Sequence, residues 1–321
     1  MHYQRILFSV LAIISAIELP CLLTFGLHTN NVSYVDKRRV PQVEETICQH
    51  KWEVASRQNE RIDLLILGDS SGLMGVDPQI LEEHTGLASY NLCTVSYCSI
   101  LGHDFLLKEY LRFNSPPKTL IYHFAPLELN QDEALIRQRG YLQRTRDIAE
   151  GRRFIFPPSL QLRSTVRAVI EGNFFNNEDS FETLRGKYPS HRELCDLLDA
   201  QKGFFPERQM QLSTSAFDRL SISSVQLQGL RKLIETAKLH GIQLLLIPNP
   251  IPAFADSPSM RDDLEIISVK IRDAVEKSFP DSIQNPFFRF LNDRSFSTPN
   301  HLHPGSVREN TLRIAALVSK D

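Results

Sequence analysis

Apolar and polar positions change rhythm several times along the chain. Residues 6–27 form one nearly unbroken apolar run. Arg39 to Glu60 is polar, with apolar residues at helical spacing (Val43, Ile47, Trp52, Val54), and predicts a stalk helix. From residue 61 onward, short apolar runs alternate with amphipathic stretches. Ile62–Leu67, Ala88–Leu92, Thr119–Phe124 and residues 242–248 ("IQLLLIP") predict strands. Asp77–His84, with Pro78 in its first turn, predicts a helix, as do Ile100–Phe113, Val225–His240 closed by Gly241, Leu264–Phe279 and Val307–Val318. Strands alternating with amphipathic helices imply a parallel sheet covered on both faces. The stretch from about 130 to 221 breaks this rhythm. It carries "FIFPP", "GNFFNN" and "KGFFPE" among many charges and predicts a mostly helical insertion, of the kind that shapes or covers a site.

The first segments are different in kind. After a tail at 1–5, Ile6 to Leu27 contains a single charge, Glu18, and thirteen Leu, Ile, Val or Phe residues. At roughly 0.3–0.6 kcal/mol each, these outweigh the roughly 2.5–3.5 kcal/mol of one mid-span acid, so the run predicts a transmembrane anchor. The competing reading is a cleaved signal peptide with its apolar region at Ile6–Ile17. No small-x-small cleavage site follows, and Leu19-Pro20-Cys21 departs from a lipoprotein box, which favours the anchor. Residues 28–60 would then be the stalk and 61–321 the folded domain. The charges that flank the span conflict with export of that domain: Arg5 precedes it, whereas Lys37, Arg38 and Arg39 follow it.

Composition narrows the function classes. The 321 residues are 42% hydrophobic and 23% charged, enough for a sizeable core, and the formal net charge is −2. Without a basic field, nucleic acid is excluded as the expected partner. The five cysteines (Cys21, Cys48, Cys93, Cys98, Cys195) include no C-x-x-C pair, so neither zinc nor a dense disulfide framework is signalled. His301 and His303 alternate on one segment, but no Cys or carboxylate stands at metal spacing beside them. No metal and no cofactor is expected.

One stretch carries chemistry. "LLILGDSSGLMGVDP", residues 64–78, runs an apolar strand into Gly68-Asp69-Ser70-Ser71, placing an acid and two hydroxyls where parallel strands end and sites are built. It lacks the lysine of a phosphate loop. Asp69 is expected to hold the turn through backbone hydrogen bonds, and Ser71 to cap the next turn. Gly68-Asp69-Ser70 resembles the first motif block of the SGNH or GDSL hydrolases, and "GLMGVDPQILEE" is similar to their membrane-anchored branch, which includes proteins of cell-wall and exopolysaccharide O-acylation. "SYNLCTVSYCSILG" (Ser89–Gly102), with Asn91 and Gly102, resembles the second block, and "STPNHLHPGS" resembles the last. The matched blocks span residues 62–318, with 130–221 unmatched.

The resemblance implies a three-layer α/β/α, flavodoxin-like parallel sheet in which Ser70 is the nucleophile. A serine hydroxyl needs an imidazole to take its proton, and the imidazole needs a third group to orient it. Matching "HL-x-P" makes His301 the base with Thr298 in the place of Asp; matching "HP" makes His303 the base with Asn300 there. The first register is preferred, because Ser306 then falls where a small residue is expected. Neither supplies a carboxylate, unless Asp293 reaches in from the preceding loop. Ser96 stands where the family has an oxyanion-hole glycine. Ala125-Pro126-Leu127 replaces the third block and its Asn, so one donor is missing unless Asn130, His123 or Asn91 substitutes. The implied protein is a membrane-anchored serine esterase or O-acyltransferase, with an extracytoplasmic domain acting on an acyl ester or a glycan. Its alternative is a degenerate, non-catalytic domain that binds a glycan or partners a membrane-bound acyltransferase.

Overall fold

The structure, a computed structural model, describes residues 43–95, 98–130, 191–206 and 219–319. The chain divides into two units, residues 1–43 with 146–191 and residues 44–145 with 192–321. Apart from Val43 and His191, every described residue lies in the second. The run at 6–27 and most of the insertion fall outside the described residues. Among the described residues no helix is long and apolar enough to cross a membrane.

The second unit is built on β1 (Leu64–Gly68), β2 (Ser89–Asn91), β3 (Thr119–Phe124) and β4 (Gln243–Pro248). They form one sheet in the order β2-β1-β3-β4, parallel throughout, with Gly68 opposite His123 and His123 opposite Ile247. The helices are α1 (Val43–Ala55), α2 (Ser70–Gly75), α3 (Pro78–Thr85), α4 (Ser99–Phe113), α5 (His191–Ala200), α6 (Ser224–Leu239), α7 (Pro258–Val275) and α8 (Pro304–Val318). The α/β class expected from the alternating pattern is therefore observed. Two small pairings complete the unit: β5 (Ile251–Pro252) with β6 (Phe290–Leu291), and the antiparallel β7 (Phe296–Thr298) with β8 (His301–Leu302).

Both faces of the sheet are covered. Leu65, Leu67, Leu120, Tyr122, Phe124, Leu244 and Leu246 join one apolar cluster with residues of α1, α4, α6 and α7. The alternate positions, Leu64, Ile66, Ile121, His123, Leu245 and Ile247, are equally buried and point to the opposite face. On that side α8 packs against α3 and α2, and it is tied to them by hydrogen bonds from Asn310 Nδ2 to the Gly75 carbonyl and from the Asp77 N–H to Thr311 Oγ1.

Local chemistry sets the helix ends. Asp77 caps α3 by accepting from the Gln79 N–H, Pro78 fills its first position, and Gly86 closes it at φ 69°. Ser257 caps α7, which starts at Pro258, six residues ahead of the apolar pattern that reveals it. Its opening turns carry Arg261, Asp262 and Asp263, which mask the periodicity. Helix α1 departs further from expectation. The polar stretch does form a helix at 43–55, but it is no free-standing stalk, because Ile47, Cys48 and Trp52 are fully buried and Cys48 and Trp52 join the main cluster. Its apolar stripe is wide enough to need a partner surface.

Candidate active site

Strand β1 ends at Gly68, whose φ of 152° and position leave no room for a side chain: a Cβ there would stand 1.7 Å from the His123 carbonyl oxygen. The chain then turns directly into α2. Asp69, not Ser71, is the cap. Its Oδ1 accepts from the Ser71 N–H (2.9 Å) and from Ser71 Oγ (2.6 Å), while Oδ2 accepts from the Ala125 N–H at the end of β3 (2.8 Å). Asp69 thereby joins the turn after β1 to the turn after β3. Burial pushes its carboxyl above the usual range, against these hydrogen bonds. Ser70 occupies the first position of α2 and is 8% exposed. Its N–H is one of the donors that a helix start leaves without an intrahelical acceptor.

The strand pair β7–β8 delivers the second half of the site. His301 Nε2 lies 2.9 Å from Ser70 Oγ, across 231 residues of sequence. On the other side of the ring, Nδ1 lies 2.9 Å from Thr298 Oγ1. The arrangement that places a lone pair on Nε2 has Nδ1–H donating to Thr298 and Ser70 Oγ–H donating to His301. Burial of the ring lowers the pKa of His301 to about 4, which keeps the imidazole neutral and able to accept a proton at neutral pH.

Three contacts hold the hairpin in place. Asn249, buried at the end of β4, donates from Nδ2 to the Asn300 carbonyl (3.1 Å); Asn300 donates from Nδ2 to Glu128 Oε1 (3.3 Å); and the His303 N–H donates to the Ser295 carbonyl (2.7 Å). His303 caps α8, its Nδ1 accepting from the Gly305 N–H at 3.2 Å, and has no described contact with Ser70. Of the two registers, the structure brings Ser70, His301 and Thr298 into one hydrogen-bonded row and leaves His303 and Asn300 as supports.

The other expected residues are placed as follows. Asn91 is fully buried, gives both amide hydrogens to the Gly72 and Val76 carbonyls, and accepts from the Cys93 N–H; it braces α2 against β2. Gly102 stands within the opening of α4, near where Gly229 of α6 crosses Ile100 and Leu101. Ser96 lies outside the described residues. Asp293 accepts from the Phe254 N–H, and Asn130 accepts from Ser221 Oγ.

The partners of three buried polar groups escape sequence reasoning, and one of the three, His123, is among the substitutes expected for the missing oxyanion donor. His123, fully buried on β3, lies 3.1 Å through Nδ1 from Ser71 Oγ; because Ser71 already donates to Asp69, His123 Nδ1–H is the donor. His103 lies between Thr94 Oγ1 (3.0 Å) and Tyr122 Oη (2.9 Å), and burial lowers both imidazoles to about 3. Lys51 of α1 is fully buried. Its Nζ donates to the carbonyls of Asn91 (2.6 Å) and Gly203 (2.5 Å) and lies over the Tyr90 ring, and burial lowers its pKa to about 7. No local spacing advertises these residues, since each finds its partners only across the folded sheet.

No protein-family model matches the chain, and no curated protein does either. What the site can do must therefore be argued from its geometry. A hydroxyl, a neutral imidazole and an orienting acceptor in one row make a proton-transfer relay suited to activating Ser70 as a nucleophile.

Proposed function

We propose that the protein is a membrane-anchored serine esterase or O-acyltransferase of the SGNH type, held by residues 6–27 with its catalytic domain on the extracytoplasmic side. The observation that carries this reading is the 2.9 Å approach of His301 Nε2 to Ser70 Oγ, with Thr298 behind the imidazole at 2.9 Å. Ser70 Oγ attacks an ester carbonyl while His301 takes its proton. The tetrahedral oxyanion collapses, His301 returns the proton to the leaving alcohol, and an acyl-serine remains. Water or a glycan hydroxyl, deprotonated in turn by His301, then accepts the acyl group. The Ser70 N–H is one oxyanion donor in this scheme. The order of the sheet supports the placement, because the site stands at the carboxyl ends of β1 and β3, flanking the point where strand order reverses.

A fluorophosphonate probe applied to the full chain in detergent tests the reading. Covalent labelling that is lost in Ser70→Ala is the expected result; absence of labelling, while a control hydrolase reacts, overturns it. A second reading is favoured by one feature, the hydroxyl of Thr298 in place of a carboxylate. A threonine orients the ring but does not stabilise imidazolium, as suits a domain that binds a glycan or a membrane-bound acyltransferase without catalysis. Unlabelled protein that still retains a polysaccharide ligand in a binding assay would select it.

A further inference from the structure

Two thiols face each other beside the segment that joins β2 to α4. Cys48 of α1 and Cys98, the residue before α4, place their sulfur atoms 3.7 Å apart, and both residues are fully buried. They are 50 positions apart in sequence, so the contact joins two otherwise separate parts of the fold. A disulfide needs its sulfurs at about 2.05 Å, so the two side chains must turn toward each other as the bond forms. We propose that Cys48 and Cys98 form a disulfide, made while the chain folds, by exchange with a small or protein-borne disulfide oxidant.

The other described cysteines are unsuited to this role. Cys93 packs its sulfur against Gly72, 2.7 Å from where a Cβ on that glycine would stand, and burial pushes its thiol well above the usual range. Cys195 is likewise pushed up to about 12 by burial. Cys98 moves the other way: the hydrogen bond from Cys48 holds its thiol below the usual value, and the thiolate is the attacking species in exchange. The backbone at this joint is also constrained. The Cys98 N–H donates to the Val95 carbonyl, the Ile100 N–H donates to Gln226 Oε1, and Ser99 between them is held at φ 40°, a conformation that residues other than glycine rarely adopt.

The chemistry balances in two exchanges. The Cys98 thiol loses its proton, and its thiolate attacks a sulfur of the oxidant, forming a mixed disulfide and expelling one thiolate. Cys48 then attacks the Cys98 sulfur and releases the second. Two protein thiols are oxidised and the oxidant is reduced to two thiols. Because neither sulfur is exposed in the folded unit, the oxidant must act before α1 has docked. The bridge would fasten α1 to the entry of α4 and so fix the described end of the 92–98 segment. This inference does not depend on the serine-hydrolase reading.

The full chain made by cell-free synthesis into detergent, with oxidised glutathione in one arm and a reductant in the other, tests the proposal. Free thiols are trapped with N-ethylmaleimide under denaturing conditions, and unreduced digests are read by mass spectrometry. The oxidised arm should yield a peptide joining Cys48 to Cys98, with Cys93 and Cys195 alkylated, and a thermal midpoint several degrees above the reduced arm. Cys48→Ala/Cys98→Ala should lose both the peptide and the difference between arms. Complete alkylation of Cys48 and Cys98 in the oxidised arm, or their capture in bridges to other cysteines, would overturn the proposal.

Discussion

At the scale of single residues, the site separates two histidines that are one position apart from being neighbours. His301 touches Ser70, the proposed nucleophile, and His303 caps a helix, so His301→Ala should slow fluorophosphonate labelling by about a hundredfold or more. His303→Ala should leave most of it and cost only the stability of one cap. The reverse ranking would assign the base to the other register. The neutral imidazole also dictates a pH profile. With the His301 pKa near 4, labelling should persist through mildly acidic pH and fall only as the pH drops through about 4. Thr298→Asp places a carboxylate on Nδ1, which favours imidazolium. Its acid limb should move up by roughly 1 to 3 pH units, with faster labelling at neutral pH. An unmoved limb would mean that the observed ionisation belongs to another group.

At the scale of elements, the turn that presents Ser70 is held from beneath by small residues and buried hydrogen bonds. A Cβ on Gly72 would meet Cys93 Sγ at 2.7 Å and His123 Cβ at 3.1 Å, so α2 reaches β3 only because that position is glycine. Gly72→Ala should therefore destabilise the fold by about 1–3 kcal/mol, measured by denaturant unfolding, and disturb Ser71 before Ser70. This is also the level at which the sequence stops being legible. Short apolar runs and helical spacings locate Thr119–Phe124 to the residue and most other elements within a few positions, because a strand buried on both faces and a helix buried on one impose those patterns directly. Ser70, Thr298 and His301 could be read only through the resemblance of residues 68–70 and 297–306 to known motif blocks, and the structure shows that Thr298 and His301 meet because they pair across one hairpin. The cap could not: Asp69 and Ser71 are both capable of it, and the choice depends on the Ala125 N–H arriving from another strand. The bond of His123 to Ser71 and the burial of Lys51 were illegible for the same reason, since a lone lysine in a polar helix reads as a solvated face until Asn91 and Gly203 close over it.

For the whole molecule, four histidines and Lys51 give stability a component that weakens as pH falls, opposed by Asp69, whose raised carboxyl favours the folded state in acid. Burial lowers His50 to about 4, His103 to about 3, His123 to about 3 and His301 to about 4. Unfolded, each takes up a proton near 6.5, so between about 6.5 and their folded values the unfolded state binds more protons. Stability should then fall as pH falls below about 6.5, by roughly 1.4 kcal/mol per pH unit for each histidine. Lys51 adds the same direction at higher pH: its folded value is about 7 against an ordinary 10.5, so its contribution rises with pH across that interval. Thermal midpoints measured across pH 4–8 should show the acid slope, and His103→Gln should reduce it by about a quarter, one titrating group of four. A midpoint that stays constant from pH 7 to 4 would contradict the neutral assignment of these rings.

The separation of 231 positions between Ser70 and His301 also has a consequence in time. A ribosome delivers the strand and turn of Ser70 early and the hairpin of His301 late, with most of the sheet made in between. A nascent chain therefore carries a serine with no partner to draw off its proton. If Ser70 reacts as proposed, the growing polypeptide would be chemically idle toward surrounding esters until the hairpin has emerged and docked beside β4, so translation itself would act as the lock.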